Sequence, residues 1–349
     1  MNLHSLFMNR CFDLARLAAG KVSPNPLVGA VLTYENRVIG EGFHQHYGQA
    51  HAEVNAIESV PPEDRHLIQK ATLYVSLEPC CFRGNTPACT SLIIEKKIPK
   101  VVISCLDNTP EVSGKGVEML RAAGVAVLTG ILEEEGKWLS RFRTTFVLSK
   151  RPHVLLKFAK SKDGFMGFEN QQVWISNSFS KRWVHKCRSA VDAILVGTNT
   201  ALKDDPELTT RLYFGRSPLR IILDRQLRLP NQLKIFDRSV KTWIVNDRKE
   251  DLEKKGNFRF IKLSFDENLL PKLLYQLYQA QKNSLIVEGG RATLQAFLDT
   301  GLWDEALVLT AEKAMGGEII APDIPSKVFD EFKIGNDQLT IYRNPAYIR

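Results

Sequence analysis

Hydrophobic and polar positions alternate along this chain in two successive series of predicted strands and helices. The N-terminal segment predicts an amphipathic helix with an apolar stripe at Leu6, Phe7, Cys11, Leu14 and Ala18. Two strands, at 27–33 and 37–42, are predicted around a turn at Glu35-Asn36. Further strands are predicted at 71–77, 100–105 and 125–128, and helices at 51–59, 87–97 and 115–123. This alternation predicts an α/β sheet covered by helices on both faces.

A second series begins after Arg151-Pro152. It predicts a helix at 177–188 and apolar strands at 153–159, 193–196, 219–223, 242–245 and 284–287. A chain of 349 residues exceeds one ordinary core and suits two domains. We therefore predict domains at 1–149 and 150–349.

Composition and charge narrow the class of protein. The chain is 44% hydrophobic and 25% charged, which is typical of globular proteins, and no apolar run is long enough for a membrane span. The N-terminus lacks the apolar core and cleavage site of a secretory signal, so we expect a cytoplasmic protein with no membrane partner. The net charge of +8 is spread along the chain, which favours anionic small molecules over nucleic acid. A homo-oligomer is our expectation for its assembly.

A candidate zinc site lies in the first series. His51 opens a predicted helix, Cys80 follows a strand, and Cys89 begins the next helix. One imidazole and two thiolates leave the fourth position of a tetrahedral zinc ion open to water, the arrangement of catalytic sites. Cys81 competes with Cys80, but we favour Cys80 because it directly follows the proline that turns the chain off the strand.

Glu53 stands two residues after the histidine and is not needed as a ligand. Its predicted role is to move protons between water, a ring nitrogen and a departing amine. Zinc deaminases of nucleobases carry the signature His-x-Glu followed by Pro-Cys-x-x-Cys. Here eight residues separate Cys80 from Cys89, so the match is to a variant of that signature.

The second series carries two weaker signals. The strand ending at Glu288 is followed by Gly289-Gly290 and a predicted helix, where backbone amides and the helix dipole suit a phosphate. Residues 196–211 place hydroxyl, carboxylate and guanidinium groups just after another strand, where ligands of α/β proteins lie. No G-x-G-x-x-G fingerprint of an ordinary dinucleotide-binding domain is present.

Taken together, these motifs resemble the bifunctional deaminase–reductase family of riboflavin biosynthesis. The resemblance covers nearly the whole chain and rests on residues 25–31, 42–44, 51–53, 77–80, 84–89, 114–116, 157–164, 174–176, 188, 200–211 and 288–290. It implies a cytidine-deaminase-like α/β/α sandwich followed by a dihydrofolate-reductase-like α/β domain. The implied reactions are zinc-dependent hydrolytic deamination of a phosphoribosylaminopyrimidine, then NADPH-dependent reduction of its ribosyl group to ribityl.

The resemblance also implies individual contacts. In the deaminase domain the substrate contacts are Asn25, His44 and Asp107. The implied cofactor contacts are Ala159, Trp174, Thr200, Asp204, Gly290, Arg291, Ala292, Thr293 and Leu294. The implied substrate contacts of the reductase are Lys157, Arg188, Leu208, Arg211 and Glu288, with the two arginines meeting the substrate phosphate.

Three positions depart from the family's substrate-binding pattern. Phe82 stands where a histidine is usual, Asn85 where a lysine or arginine is usual, and Thr109 where an asparagine is usual. Phenylalanine donates no hydrogen bond and asparagine carries no charge for a phosphate. We therefore expect altered phosphate recognition by the first domain, with Arg83 as the first candidate to replace the lost cation.

Several alternatives stay open at this stage. The whole chain could be a reductase with a degenerate first domain, a deaminase that edits nucleic acid, or a zinc-stapled interaction module, although the last does not explain Glu53. Among single residues, Asn25 could only cap a turn, Trp174 could pack in the core, and Arg188 could only favour the end of its helix.

Overall fold

The computed structural model describes residues 2–82, 84, 87–251 and 256–347. The chain divides into two compact units, one ending at Lys150 and the other beginning at Arg151. Among these described residues, no helix is long and apolar enough to span a membrane.

The first unit is built on a five-stranded sheet. Its strands are β1 (Gly29–Tyr34), β2 (Arg37–Phe43), β3 (Thr72–Leu77), β4 (Lys100–Cys105) and β5 (Ala126–Leu128). Its α-helices are α1 (Leu3–Arg16), α2 (Ala52–Glu58), α3 (Cys89–Glu95), α4 (Lys115–Ala122) and α5 (Glu133–Ser149), and a 3-10 helix spans Pro62–Lys70.

The strand order in this sheet is β2-β1-β3-β4-β5. The β1–β2 hairpin turns at Glu35 and Asn36, whose φ angles are +46° and +66°, the left-handed pair that a two-residue hairpin turn requires. β3, β4 and β5 are parallel to one another. One core packs α2, α3 and α4 on one face, and a second packs α1 and Leu139 of α5 on the other. This arrangement confirms the predicted sandwich.

The second unit is built on a nine-stranded sheet and a small two-stranded one. Its strands are β6 (His153–Lys160), β7 (Phe165–Gly167), β8 (Ala193–Gly197), β9 (Leu219–Leu223), β10 (Thr242–Asn246), β11 (Phe258–Lys262), β12 (Ser284–Val287), β13 (Glu305–Thr310), β14 (Ile319–Ile320), β15 (Val328–Ile334) and β16 (Asp337–Arg343). Its helices are α6 (Ser178–Ala190), α7 (Thr198–Asp204), α8 (Leu269–Gln279) and α9 (Arg291–Asp299), with 3-10 helices at Lys234–Phe236 and Pro345–Tyr347.

The large sheet has the order β11-β10-β9-β8-β12-β6-β13-β16-β15. The seven strands from β11 to β13 run parallel, whereas β16 pairs antiparallel with β13, and β15 pairs antiparallel with β16 at the edge of the sheet. The carboxyl ends of β6, β8 and β12 therefore meet at one edge of the sheet, and the residues that follow them are brought together there.

Some elements differ from the sequence prediction. The polar segment after residue 132 forms α5, although only Gly136, Leu139, Ser140 and Phe146 of it are buried. The edge strand β15 is exposed at six of its seven positions, so it has no apolar alternation by which to recognise it. Leu6, assigned to the apolar stripe of the first helix, is 52% exposed, and Met8 is buried in its place.

Candidate active sites

Three metal-ligating side chains meet at the end of β3. His51 is the N-cap of α2, Cys80 follows β3, and Cys89 is the first residue of α3. The Nδ1 of His51 lies 3.5 Å from the Sγ of Cys80 and 3.3 Å from the Sγ of Cys89. All three donor atoms lie within 4.8 Å of one another. Two helix N-termini and one strand end thus place the three donors around one point.

These separations fit a zinc ion. Bonds of about 2.3 Å to sulfur and about 2.0 Å to nitrogen, at a tetrahedral angle, put sulfur and nitrogen about 3.5 Å apart. The two distances from His51 Nδ1 match that value. A hydrogen bond from the Cys89 side chain, and after it one from His51 and one from the backbone N–H of Cys89 at 3.4 Å, lower the pKa of Cys80 to about 4 although burial opposes the thiolate. Such a thiolate is the form that binds metal.

Glu53 lies on the first turn of α2 and is only 3% exposed. Burial, followed by the charge of Cys80, raises the pKa of Glu53 to about 7. A cation on the three donors would act in the opposite direction and favour the carboxylate. A buried carboxyl group beside a metal site, which is not itself one of the clustered donors, is suited to accept and return a proton.

Cys81 is not part of this cluster. Its thiol points to the backbone oxygen of Glu111, 3.4 Å away, and the three clustered donors are those of His51, Cys80 and Cys89. The geometry therefore favours Cys80 over Cys81 as the ligand.

Asn25 and His44 form a pair beside the metal donors. The Nδ1 of His44 lies 3.0 Å from the carbonyl oxygen of Ala50, and its Nε2 lies 3.1 Å from the side-chain amide nitrogen of Asn25. The His44 ring stands edge-on to that of His51, with 5.3 Å between centroids. Burial lowers the pKa of His44, which favours a neutral ring that donates to Ala50 and accepts from Asn25. Asn25 therefore does more than cap a turn.

Glu78 is a positioning residue that the sequence analysis quoted only as part of a motif. It is 4% exposed, and its carboxylate accepts from the backbone N–H groups of Asp107, Gly114 and Val117. It thereby ties the loop after β4 and the start of α4 to the strand that leads into Cys80. The signal in the sequence was a glutamate that directly follows an apolar strand, where a charged side chain needs hydrogen-bond partners if it is buried.

Asp107 and Thr109 are held together in that loop. The carboxylate of Asp107 accepts from the Thr109 N–H at 2.7 Å, and Thr109 Oγ1 accepts from Arg143 of α5 at 3.3 Å. Arg143 and Lys137 line a small cavity beside both residues. Arg143 was not among the residues predicted from the sequence, because no sequence pattern indicates that α5 packs against this loop.

The remaining departures fall on the loop before α3. Phe82 is 45% exposed, so its ring does not pack into the core. Asn85 and the candidate cation Arg83 lie outside the described residues.

In the second unit, a cleft of about 340 Å³ lies at the carboxyl edge of the large sheet. Its lining includes eight of the predicted contacts, namely Lys157, Trp174, Arg188, Thr200, Asp204, Leu208, Arg211 and Glu288. Trp174 is 67% exposed and packs against the ammonium group of Lys181, so core packing does not explain it. The structure thus brings together residues that are far apart in the sequence.

A buried ion-pair network forms the floor of this cleft. Arg188 donates from Nε and from a terminal nitrogen to the two carboxylate oxygens of Glu288, at 2.7 and 2.8 Å. Lys157 Nζ lies 3.7 Å from the same carboxylate. Although burial opposes its ionisation, the two cations hold the pKa of Glu288 at about 2. The third nitrogen of Arg188 donates to the backbone oxygen of Thr209, so each nitrogen of this guanidinium makes a hydrogen bond.

The glycines after β12 fit a phosphate-bearing cofactor. Gly290 is the N-cap of α9, and a methyl group built on it would lie 3.0 Å from the Thr200 hydroxyl. A methyl group on Gly197, after β8, would lie 2.7 Å from the Thr293 hydroxyl. Two hydroxyls and a helix N-terminus therefore surround a surface without side chains, which suits the pyrophosphate of a dinucleotide.

The other predicted cofactor contacts lie apart from this lining. Arg291 and Ala292 are exposed on the first turn of α9, and Ala159 packs against a small core under β13 and β16. Leu294 is fully buried in the main core, so its side chain packs there and only its backbone remains for a ligand.

His185 lines the cleft but was not predicted. It lies on α6 and its Nδ1 faces the N–H of Leu212 at 3.5 Å. Burial, together with the nearby cations Arg188 and Arg211, lowers the pKa of His185 to about 4. A histidine three residues before a predicted ligand, on the same helix face, was the available signal.

Two family models match this chain. Residues 1–105 match the cytidine and deoxycytidylate deaminase zinc-binding region, and residues 152–335 match the RibD C-terminal domain. Among curated relatives, the riboflavin biosynthesis protein RibD of Aquifex aeolicus is 37% identical over 93% of this chain and 91% of its own length. That of Bacillus amyloliquefaciens is 34% identical over 95% and 90%.

Solved structures agree with these matches. A Thermotoga maritima protein described as a diaminohydroxyphosphoribosylaminopyrimidine deaminase/5-amino-6-(5-phosphoribosylamino)uracil reductase has a TM-score of 0.89 and 36% identity, covering 98% of this chain and 99% of that one. RibD of Acinetobacter baumannii has a TM-score of 0.87 and 30% identity, covering 98% of each chain.

Proposed function

Since this chain belongs to the RibD family of bifunctional riboflavin biosynthesis enzymes, we propose that its two units act in succession on one phosphoribosylaminopyrimidine. The first unit removes an exocyclic amine by hydrolysis, and the second reduces the ribosyl group to ribityl. The cofactors are Zn²⁺ and NADPH. The observation that carries the first half is the convergence of His51, Cys80 and Cys89 beside the buried Glu53.

In the first unit we assign His51, Cys80 and Cys89 as the metal ligands and Glu53 as the catalytic acid and base. Zinc held there supplies the Lewis acidity that makes water nucleophilic at neutral pH. Glu53 accepts one proton from the attacking water and delivers it to the ring nitrogen, and it then carries the proton of the newly added hydroxyl group to the departing amine. Asn25, oriented by His44, and Asp107 hold the pyrimidine ring.

In the second unit we assign the 340 Å³ cleft to NADPH and the deaminated substrate. The cofactor, when bound, supplies a hydride. We assign Ala159, Trp174, Thr200, Asp204 and residues 290–294 to its binding, with Leu294 acting through its backbone. The Arg188–Glu288–Lys157 network lies under the reacting sugar, and Leu208 completes the wall.

The substrate phosphate falls to Arg211 in this assignment. Its side chain is 41% exposed and its ion pair with Glu207 is long, at 3.5 Å, whereas every nitrogen of Arg188 already donates to Glu288 or Thr209. Arg188 therefore fixes Glu288, and Arg211 is free to form a two-pronged contact with phosphate.

Assembly and compartment complete the proposal. We place the functional boundary at 149/150, next to the break between the compact units at Lys150 and Arg151. All six cysteines are free thiols, which suits the reducing cytoplasm. The exposed Val328, Phe329 and Phe332 of the edge strand β15 support a homo-oligomer.

The separation of the two activities tests this proposal. Cys80→Ala should abolish deamination yet leave NADPH oxidation, followed by loss of absorbance, on substrate that is already deaminated. Cys81→Ala, its neighbour in sequence, should retain both zinc and deamination. Full deamination by the Cys80→Ala protein would refute the ligand assignment, and a wild-type protein that never deaminates would leave the reductase as its single activity.

A further inference from the structure

A second cleft of the second unit has a volume of about 470 Å³. It lies at the amino ends of the parallel strands, whereas the candidate reductase site lies at their carboxyl ends. Its residues stand before or at the start of five parallel strands, β8, β9, β10, β11 and β12. The reductase residues, in contrast, follow the carboxyl ends of β8 and β12. Strands of this length place the two edges about 15 Å apart.

The lining of this cleft is strongly positive. It contains four cations, Arg216, Lys241, Arg259 and Lys282, and one carboxylate, that of Asp192. That carboxylate already accepts from Arg216 and, at 2.8 Å, from the N–H of Asn283. Burial, and then the charges of Arg216 and Lys241, lower the pKa of Lys282 against the pull of Asp192. Among the described residues that line the cleft, the cations therefore outnumber the carboxylates by four to one.

Arg259 and Trp243 give the cleft a built wall. They are directly opposite each other on the parallel strands β11 and β10, with the guanidinium carbon 5.7 Å from the indole ring. The Nε of Arg259 is buried and has no hydrogen-bond partner in the part of the chain that the structure describes. A buried donor left unpaired is unfavourable until an acceptor meets it. Trp243, on the same face of the sheet as Arg259, also lines the cleft and offers aromatic surface.

We propose that this cleft binds a phosphate monoester that carries a planar heteroaromatic ring, the chemistry of a mononucleotide. Its volume falls within the range of about 300–1,000 Å³ that small-molecule sites occupy. The arginine and lysine groups meet the phosphate, and the ring packs against Trp243. The site is separate from the reductase cleft, since the two lie at opposite edges of the sheet.

Calorimetric titration with adenosine monophosphate tests this inference, and the same titration of Arg211→Ala, a variant of the reductase cleft, shows whether the nucleotide binds there instead. We expect adenosine and inorganic phosphate, which carry only the ring or only the phosphate, to bind at least about tenfold more weakly than the nucleotide. Lys241→Glu and Arg259→Ala should each weaken nucleotide binding by about ten- to a hundredfold. Lys262→Glu makes the same charge change at the other end of β11 and should leave it unchanged.

Lys241 is exposed, so its replacement unpairs no buried group and a folded variant is available even if Arg259→Ala unfolds. Absence of nucleotide binding, or binding that Arg211→Ala weakens and Lys241→Glu leaves unaffected, would overturn the proposal. Equal affinity for inorganic phosphate and the nucleotide would overturn it as well, because the ring would contribute nothing. Tighter binding of a single-stranded oligonucleotide that Lys241→Glu abolishes would replace it with a nucleic-acid surface.

Discussion

The two candidate active sites differ in how their charges are balanced. In the first unit, His51, Cys80 and Cys89 converge beside the buried Glu53, and the proposed zinc ion is the cation that balances the charge of these ligands. In the second unit, the buried carboxylate of Glu288 is matched by Arg188 and Lys157 from the chain itself. The first site is therefore incomplete without its metal, whereas the second is preorganised by its own residues.

The largest effect that separates the two sites is expected from Glu53→Gln. The amide keeps the size and buried position of the side chain but cannot take up a proton, so deamination should fall by about 10²- to 10⁴-fold. Zinc content, measured by metal analysis, and NADPH oxidation on deaminated substrate should stay at wild-type levels.

The matched control for that variant is Glu58→Gln, at the exposed end of the same helix. It should leave ammonia release unchanged. Near-normal deamination by Glu53→Gln would show that the proton moves through another group, and loss of zinc would show that Glu53 supports the ligands instead.

The same contrast explains what the sequence could predict. The proposed zinc ligands lie between His51 and Cys89, on elements that follow one another closely, so spacing and local pattern sufficed to predict that these side chains converge. Cys80 and Cys81 could be ranked from the sequence because Pro79 turns the chain between strand and helix. Most of the first site could therefore be predicted from residue types and their spacing along the chain.

The reductase site depends on topology that local patterns do not contain. Arg188 and Glu288 are 100 residues apart in the sequence, and they meet because β8 and β12 are neighbours in the sheet. From the sequence, Arg188 and Glu288 were predicted only as substrate contacts, and the ion pair between them was not predicted. Arg143 and His185 were not predicted for the same reason. Each lies beside a candidate site only because of the way its helix packs against the sheet.

A second, smaller effect concerns His185 and the acid stability of the second unit. Its pKa of about 4 lies below the usual value of about 6.5, so protonation favours the unfolded chain. The stability that the neutral ring preserves is present in full above about pH 6.5 and is lost as the pH falls toward 4, by up to about 3 kcal/mol. Arg188, Arg211 and Lys181 face the ring and oppose its charging, while Glu288 favours it.

His185→Asn removes the titration while retaining an acceptor for the Leu212 N–H. Its urea unfolding free energy should vary less between pH 6.5 and pH 4 than that of the wild-type protein. Hydrogen exchange in β8 and β12 is the appropriate readout, because it excludes acid-induced loss of zinc from the first unit. An equal pH dependence in both proteins would assign the acid sensitivity to other groups.

The smallest effect is expected where the first unit meets the substrate phosphate. Asn85 lies outside the described residues, but its sequence position is that of a cation in related proteins. Asn85→Lys should lower the KM for the phosphorylated substrate by about tenfold or less, the gain of one charge-assisted contact. Neither kcat nor the KM of the dephosphorylated substrate should change, because the phosphate is remote from the ring on which Glu53 acts.

If Asn85→Lys leaves KM unchanged while Arg143→Gln or Arg83→Ala raises it, the cation that binds the substrate phosphate lies at a different position in this chain. A rise with Arg143→Gln would place the phosphate beside Thr109, where that guanidinium already donates, and would make the deaminase site as dependent on packing between distant elements as the reductase site.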